Sequence, residues 1–133
     1  TPIMCLALTV YHEARNQSTV GQLAVAQVVM NRVSDDRFPD DVCAVVKQGI
    51  HWQSKPARNM CQFSFYCDGM SDEPRNPVAF QYAYDIADAT LDGYQHGLIE
   101  GSTHYHADYV HPDWANHHTR IVQIDNHIFY RWD

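Results

Sequence analysis

Glu13 is a carboxylic acid set where a helix usually keeps an aliphatic side chain. At about 100° per residue it lies roughly 20° around the helix from Leu6, on the stripe that also carries Val10. A carboxylate there is buried or faces a cleft, and loss of water disfavours its charged form. It also falls in the last turn of its helix, whose negative end destabilises an anion further. Both effects raise the pKa. A carboxyl group that keeps its proton near neutral pH is what a general acid needs to protonate a leaving oxygen. The competing assignment is structural: Glu13 pairs with Arg15 or Arg32 and ties two helices together. The other glutamates, Glu73 and Glu100, stand in polar loop contexts and read as solvated surface.

Histidine and cysteine offer other chemistries. Of nine histidines, His104, His106, His111, His117, His118 and His127 crowd the last third. Three neutral imidazoles and a water make a hydrolytic zinc site, so a metal-dependent amidase or peptidase with His104 and His106 as ligands is the rival chemistry. The pattern H-E-x-x-H is missing, because Asn16 stands where the second histidine should be. No metal or other cofactor is therefore expected. Cys5, Cys43, Cys61 and Cys67 contain no C-x-x-C pair, which leaves zinc-ribbon and thioredoxin-type chemistry unsupported. Two disulfides in any of three connectivities are possible, and four buried thiols are the alternative. The sequence-local choice closes Cys61–Cys67 and leaves Cys5–Cys43 to tie two helices. Disulfides would place the protein in an oxidising compartment or outside the cell.

The elements that must position these residues are mostly helical. Ile3, Leu6, Ala7, Val10 and Ala14 predict a helix from about Ile3 to Arg15, with Asn16 as a left-handed stop. A second helix starts at Ser18 or Thr19, where Thr19-Val20-Gly21-Gln22 matches a capping box, and runs to Val33. It is apolar on most sides and should lie centrally. A third begins near Pro39, with Asp40 and Asp41 at its positive end, and stops before Gly49. Residues 49 to 76 read as one long irregular stretch, a length that usually signals function. Asn76-Pro77 then caps a fourth helix that ends at Gly93. Thr119 to Ile124 and His127 to Trp132 alternate around Asp125-Asn126 and predict a hairpin.

Composition narrows the partners. The 133 residues fit one domain, 1–133, with enough core to stand without metals. The absence of Met and of a signal-peptide pattern at Thr1 suggests a processed protein or a domain of a longer one. A net charge of −7 without any Lys/Arg cluster argues against nucleic acid and against anionic membrane surfaces. No run is long and apolar enough to insert in a membrane. A glycan stays compatible, given Tyr66, Tyr105, Tyr109, Trp114, Tyr130 and Trp132. A non-catalytic glycan-binding module, with Trp52, Tyr109 and Trp114 as stacking platforms, would have no use for a buried acid.

Several ordered motifs, taken together, carry a resemblance. They are Cys5 to Arg15, Gly21 to Val33, Phe38-Pro39 with Val42 to Val46, Cys61-Gln62-Phe63-Ser64-Phe65, Thr103-His104-Tyr105-His106, Val110 to Trp114, and His127 to Tyr130. Over nearly its whole length the chain resembles the SleB/CwlJ family of cell-wall hydrolases. The resemblance implies a lysozyme-like α+β domain, mainly helical with a small C-terminal β-hairpin or sheet. It also implies cleavage of the β-1,4 bond between N-acetylmuramic acid and N-acetylglucosamine in peptidoglycan, with Glu13 as the catalytic residue. Gln62, Ser64, Thr103, Tyr105, Trp114 and Tyr130 are then expected to hold the sugar, with Ser64 on the N-acetyl group and Tyr105 facing the ring. Phe63 is expected to pack. The family often has Trp where this chain has Phe65, which removes the expectation of sugar stacking there.

Two-carboxylate glycosidases need a second acid, for which Asp68, Asp108 and Asp113 are candidates. A lytic transglycosylase needs one glutamate, and only one stands out. The implied setting is secreted, periplasmic or cell-wall-acting, for a monomer of phage or bacterial origin.

Overall fold

The computed structural model describes residues 1–52, 55–61, 63, 65 and 73–133, with the backbone alone at 49–52 and 55–61. Gln62, Ser64, Asp68 and Cys67, and with Cys67 the expected Cys61–Cys67 bridge, lie outside the described residues. Four α-helices occupy the N-terminal two-thirds: α1 (Pro2–Ala14), α2 (Thr19–Val33), α3 (Val42–Val46) and α4 (Pro77–Leu91). Strands β1 (Gly49–Trp52) and β2 (Lys55–Cys61) form a separate antiparallel pair. After α4 come β3 (His104–Ala107), a 3-10 turn (Asp113–His117), β4 (Thr119–Ile124) and β5 (His127–Arg131). The last three strands make one antiparallel sheet in the order β3-β5-β4. This is the α+β architecture expected, mainly helical with a small C-terminal sheet.

Each helix begins on a side chain that satisfies a free backbone N–H. Thr1 accepts from Met4 N at 3.3 Å, Asp41 from Ala44 N at 2.9 Å and Asn76 from Ala79 N at 3.0 Å. Ser18 accepts from Gly21 N at 3.1 Å, so the cap of α2 is Ser18 and not Thr19. Gln22 does not complete a box; its side chain donates instead to Gln17 O. Asn16 is no left-handed stop either, since α1 ends on a right-handed Arg15. Pro39 precedes α3, whose first helical residue is Val42 because Asp41 takes the cap. The fourth helix closes as expected, with Gly93 at φ 103°, a conformation that costs other residues more.

Two apolar clusters hold the halves together. Leu6, Ala7 and Val10 of α1 pack with Ala26 and Val29 of α2, Val45 of α3 and Ala83 and Ala87 of α4. The other face of α2, through Ala24, Val25 and Val28, packs with Ala14, Ile99 and the fully buried Phe129 of β5. Helix α2 is therefore the central element, as its near-continuous apolar surface predicted. A disulfide joins Cys5 of α1 to Cys43 of α3, with Cα atoms 5.4 Å apart. The hairpin turn is clasped to the start of α2: Asp125 Oδ2 accepts from Ser18 N at 2.9 Å and from Ser18 Oγ at 2.7 Å. Gly21 makes that approach possible, because a Cβ there would sit 2.5 Å from Asp125 Oδ2.

Candidate active site

Glu13 ends up at the meeting of α1 and the edge strand β3. It is half-buried, and the Tyr105 hydroxyl donates to its Oε1 at 3.1 Å. Burial raises the Glu13 carboxyl above its usual range, and the Tyr105 hydrogen bond opposes part of that rise. Burial also pushes the Tyr105 phenol well above its ordinary value, so its proton stays available for donation. The structural alternative fails on geometry. Arg15 lies over the Tyr11 ring at 4.9 Å and Arg32 over the Phe38 ring at 4.8 Å, and neither forms an ion pair with Glu13.

Glu13 and Tyr105 border a cavity of about 190 Å³ together with Arg32, Phe63, His104 and His106. Pro112 and Trp114 close another side. Strand β3 lends it both faces. By register His104 and His106 share the face of Tyr130 and Ile128, while Tyr105 lies opposite Phe129. Two consecutive side chains of α2 fix the approach of β3: Asn31 Nδ2 donates to Ser102 O at 2.9 Å and Arg32 Nε donates to Thr103 O at 2.7 Å. Among the described residues lining the cavity Glu13 is the sole carboxyl group. Asp108 and Asp113 are exposed and line none of it.

The expected sugar-holding residues separate into two layers. Tyr105 and Trp114 line the cavity, although the Tyr105 hydroxyl is directed at Glu13. Thr103 is buried behind it, with Oγ1 2.9 Å from His104 Nδ1. Tyr130 is buried too, its hydroxyl 2.8 Å from His106 Nε2 and its ring edge-on to Trp114. Phe63 both packs in the core and borders the cavity, while Phe65 is buried and stacks on His12. Tyr109, considered as a stacking platform, is 81% exposed and away from the cavity.

The histidines serve the cavity wall. His106 Nδ1 faces the Ala107 carbonyl at 2.7 Å and must carry the proton, so Nε2 accepts from the Tyr130 hydroxyl. Both nitrogens are thus engaged, and neither is turned to a metal. Burial beside Arg32, His118 and Arg37 pushes His104 down to about 4, which keeps it neutral near pH 7. Among the described residues no three His, Cys, Asp or Glu side chains converge on a metal position. The sequence drew attention to these imidazoles as ligands and to Arg32 as a helix tie. Their shared place beside Glu13 was not apparent. A charged residue within an apolar helix was the one available signal for Arg32.

Comparison with known proteins bears on this arrangement. The family model described as Cell Wall Hydrolase matches residues 16–130. The chain belongs to the cell wall hydrolase family. It is similar to spore cortex-lytic enzymes: 46% identical over 132 residues to that of Oceanobacillus iheyensis and 30% over 128 residues to that of Halalkalibacterium halodurans, each match covering 96% of this chain. Those matches span 40% and 34% of the relatives' own lengths, so this chain corresponds to a little over a third of such enzymes.

Among solved structures, the catalytic domain of the germination-specific lytic transglycosylase SleB from Bacillus anthracis superposes with a TM-score of 0.69 at 26% identity. The match covers 98% of this chain and 93% of that one. The catalytic domain of the Bacillus cereus SleB protein gives a TM-score of 0.68 at 25% identity, covering 98% of this chain and 89% of that one. The fold of this cell wall hydrolase is thus the lysozyme-like fold of a lytic catalytic domain. The family match itself starts downstream of Glu13.

Proposed function

We propose that residues 1–133 are a single catalytic domain that cleaves the β-1,4 bond between N-acetylmuramic acid and N-acetylglucosamine in peptidoglycan, as a lytic transglycosylase. The observation that carries this is a desolvated Glu13, its pKa raised, bordering a cavity in which no second carboxyl group is described. The likeness to a lytic transglycosylase catalytic domain supports the same reaction. Protonated Glu13 gives its proton to the glycosidic oxygen as the bond to the anomeric carbon breaks. The substrate's own N-acetyl oxygen stabilises the cationic carbon. Glu13, now a carboxylate, takes the proton of the 6-hydroxyl, whose oxygen closes on the anomeric carbon to give a 1,6-anhydro end. The acid is regenerated without water.

Tyr105 holds the carboxyl group in place for both transfers, and Trp114 presents a ring face to the sugar. Gln62 and Ser64, from the motif beside Phe63, are proposed to bond sugar substituents. The protein acts on cell-wall glycan, outside the membrane, as a monomer; no helix among the described residues is long and apolar enough to cross a membrane. Removing a general acid costs about a hundred- to ten-thousand-fold in rate. Glu13→Gln should lose at least that on purified sacculi while its circular dichroism and melting stay those of the parent. Mass spectra of released muropeptides should show anhydro ends. Reducing ends would make it a hydrolase instead, and full activity of a folded Glu13→Gln protein would sink the assignment altogether.

A further inference from the structure

Arg32 is 3% exposed, yet among the described residues no carboxylate forms an ion pair with it. Its Nε donates to Thr103 O, and its Nη1 has no acceptor among the described residues. Among the described residues the guanidinium lies over two ring faces, Phe38 at 4.8 Å and Phe63 at 5.6 Å, with the Tyr105 phenol and the His104 imidazole also close enough to interact with its charge. Rings attract the cation but accept no in-plane N–H bond. A guanidinium buried this way is costly unless something supplies the missing acceptor. Burial lowers it only to about 10, so it stays charged at neutral pH. It borders the cavity that holds Glu13, and a planar fork of N–H donors matches a carboxylate.

We propose that Arg32 forms a carboxylate-binding subsite beside the acid, which takes the free lactyl carboxylate of N-acetylmuramic acid residues that carry no stem peptide. This rests on the glycosidase assignment and sharpens it. N-acetylglucosamine lacks the lactyl arm, so Arg32 tells the two sugars of the strand apart and fixes which of them presents its anomeric carbon to Glu13.

The test compares two substrates on the unaltered chain: peptide-free glycan strands with free lactyl carboxylates, and the same strands with those carboxyls coupled to methylamine. A charge-assisted hydrogen bond to a buried cation should give the free acid an advantage of about tenfold in kcat/KM. Arg32→Gln should bring that ratio to about one. Equal kcat/KM for both strands on the unaltered protein, or a preference that survives in folded Arg32→Gln, would overturn the subsite and leave the glycosidase assignment standing. If neither strand were cut while sacculi were, the subsite would fall and the glycosidase assignment would stand; if sacculi were not cut either, both would fall. Should Arg32→Gln not fold, the two-substrate comparison decides alone.

Discussion

The two walls of the cavity are built on different principles. The helical wall, which carries Glu13, is a close-packed, mainly aliphatic core whose fully buried members include Leu6, Val10, Val29 and Val45. The sheet wall, which carries Tyr105, His104 and His106, is a mesh of rings joined by specific hydrogen bonds. His106 meets Tyr130, and His104 contacts Trp114, His118 and Trp132 within 6 Å. Aliphatic packing gives rigidity and strips water from one acid. The mesh supplies polar atoms, of which the Tyr105 hydroxyl, His106 Nε2 and His104 Nδ1 are each held by a neighbour. The first wall raises the Glu13 carboxyl by burial, and the second holds it through the Tyr105 hydroxyl.

That division can be broken from either side. The largest change in stability should come from the helical wall: Leu6→Ala leaves a cavity in the core and should cost about 2–5 kcal/mol, read as a lower urea midpoint. A cost below 1 kcal/mol would mean that the helices are not the rigid partner. Gly21→Ala comes next. Its Cβ would displace Asp125 from Ser18 and strain the clasp between α2 and the hairpin, at about 1–3 kcal/mol. Tyr105→Phe should barely move stability but should shift catalysis. Without the hydroxyl, the opposition to the Glu13 rise is gone, so the carboxyl keeps its proton to higher pH and the alkaline limb of the rate profile moves upward. An unmoved or downward-shifted limb would show that the bond in the structure does not act on the acid.

The smallest effect concerns His104. Its folded value of about 4 lies below the ordinary 6.5 of an imidazole, so the unfolded chain binds a proton that the folded one refuses in that window. Stability from this group is present above pH 6.5 and is lost as pH falls toward 4. His104→Gln should flatten that part of the acid decline in denaturant melts, and an unchanged slope would count against a buried neutral imidazole.

The helices were legible in the sequence because apolar spacing and capping residues are local signals, and Glu13 was legible because it interrupts such a spacing. What escaped is non-local or weakly patterned. The β1–β2 pair was read as irregular, since Lys55-Pro56-Ala57-Arg58-Asn59 shows no alternation, and a proline opposite His51 is tolerated at an edge. The hydrogen bond from Tyr105 to Glu13 spans 92 positions, and no spacing rule reaches that far. The motifs of Thr103 and Tyr130 point to the sugar, and in the structure their polar atoms are bonded to His104 and His106. They act one layer behind the surface that a substrate would touch.

The clasp between Ser18 and Asp125 has a consequence for the order of events as the chain is made. Glu13 leaves the ribosome more than a hundred residues before the turn that secures the second helix, and long before the tyrosine that orients its carboxyl group. The nascent chain therefore carries this carboxyl group without its tyrosine partner, and the contact between them can form only after the last third has been made.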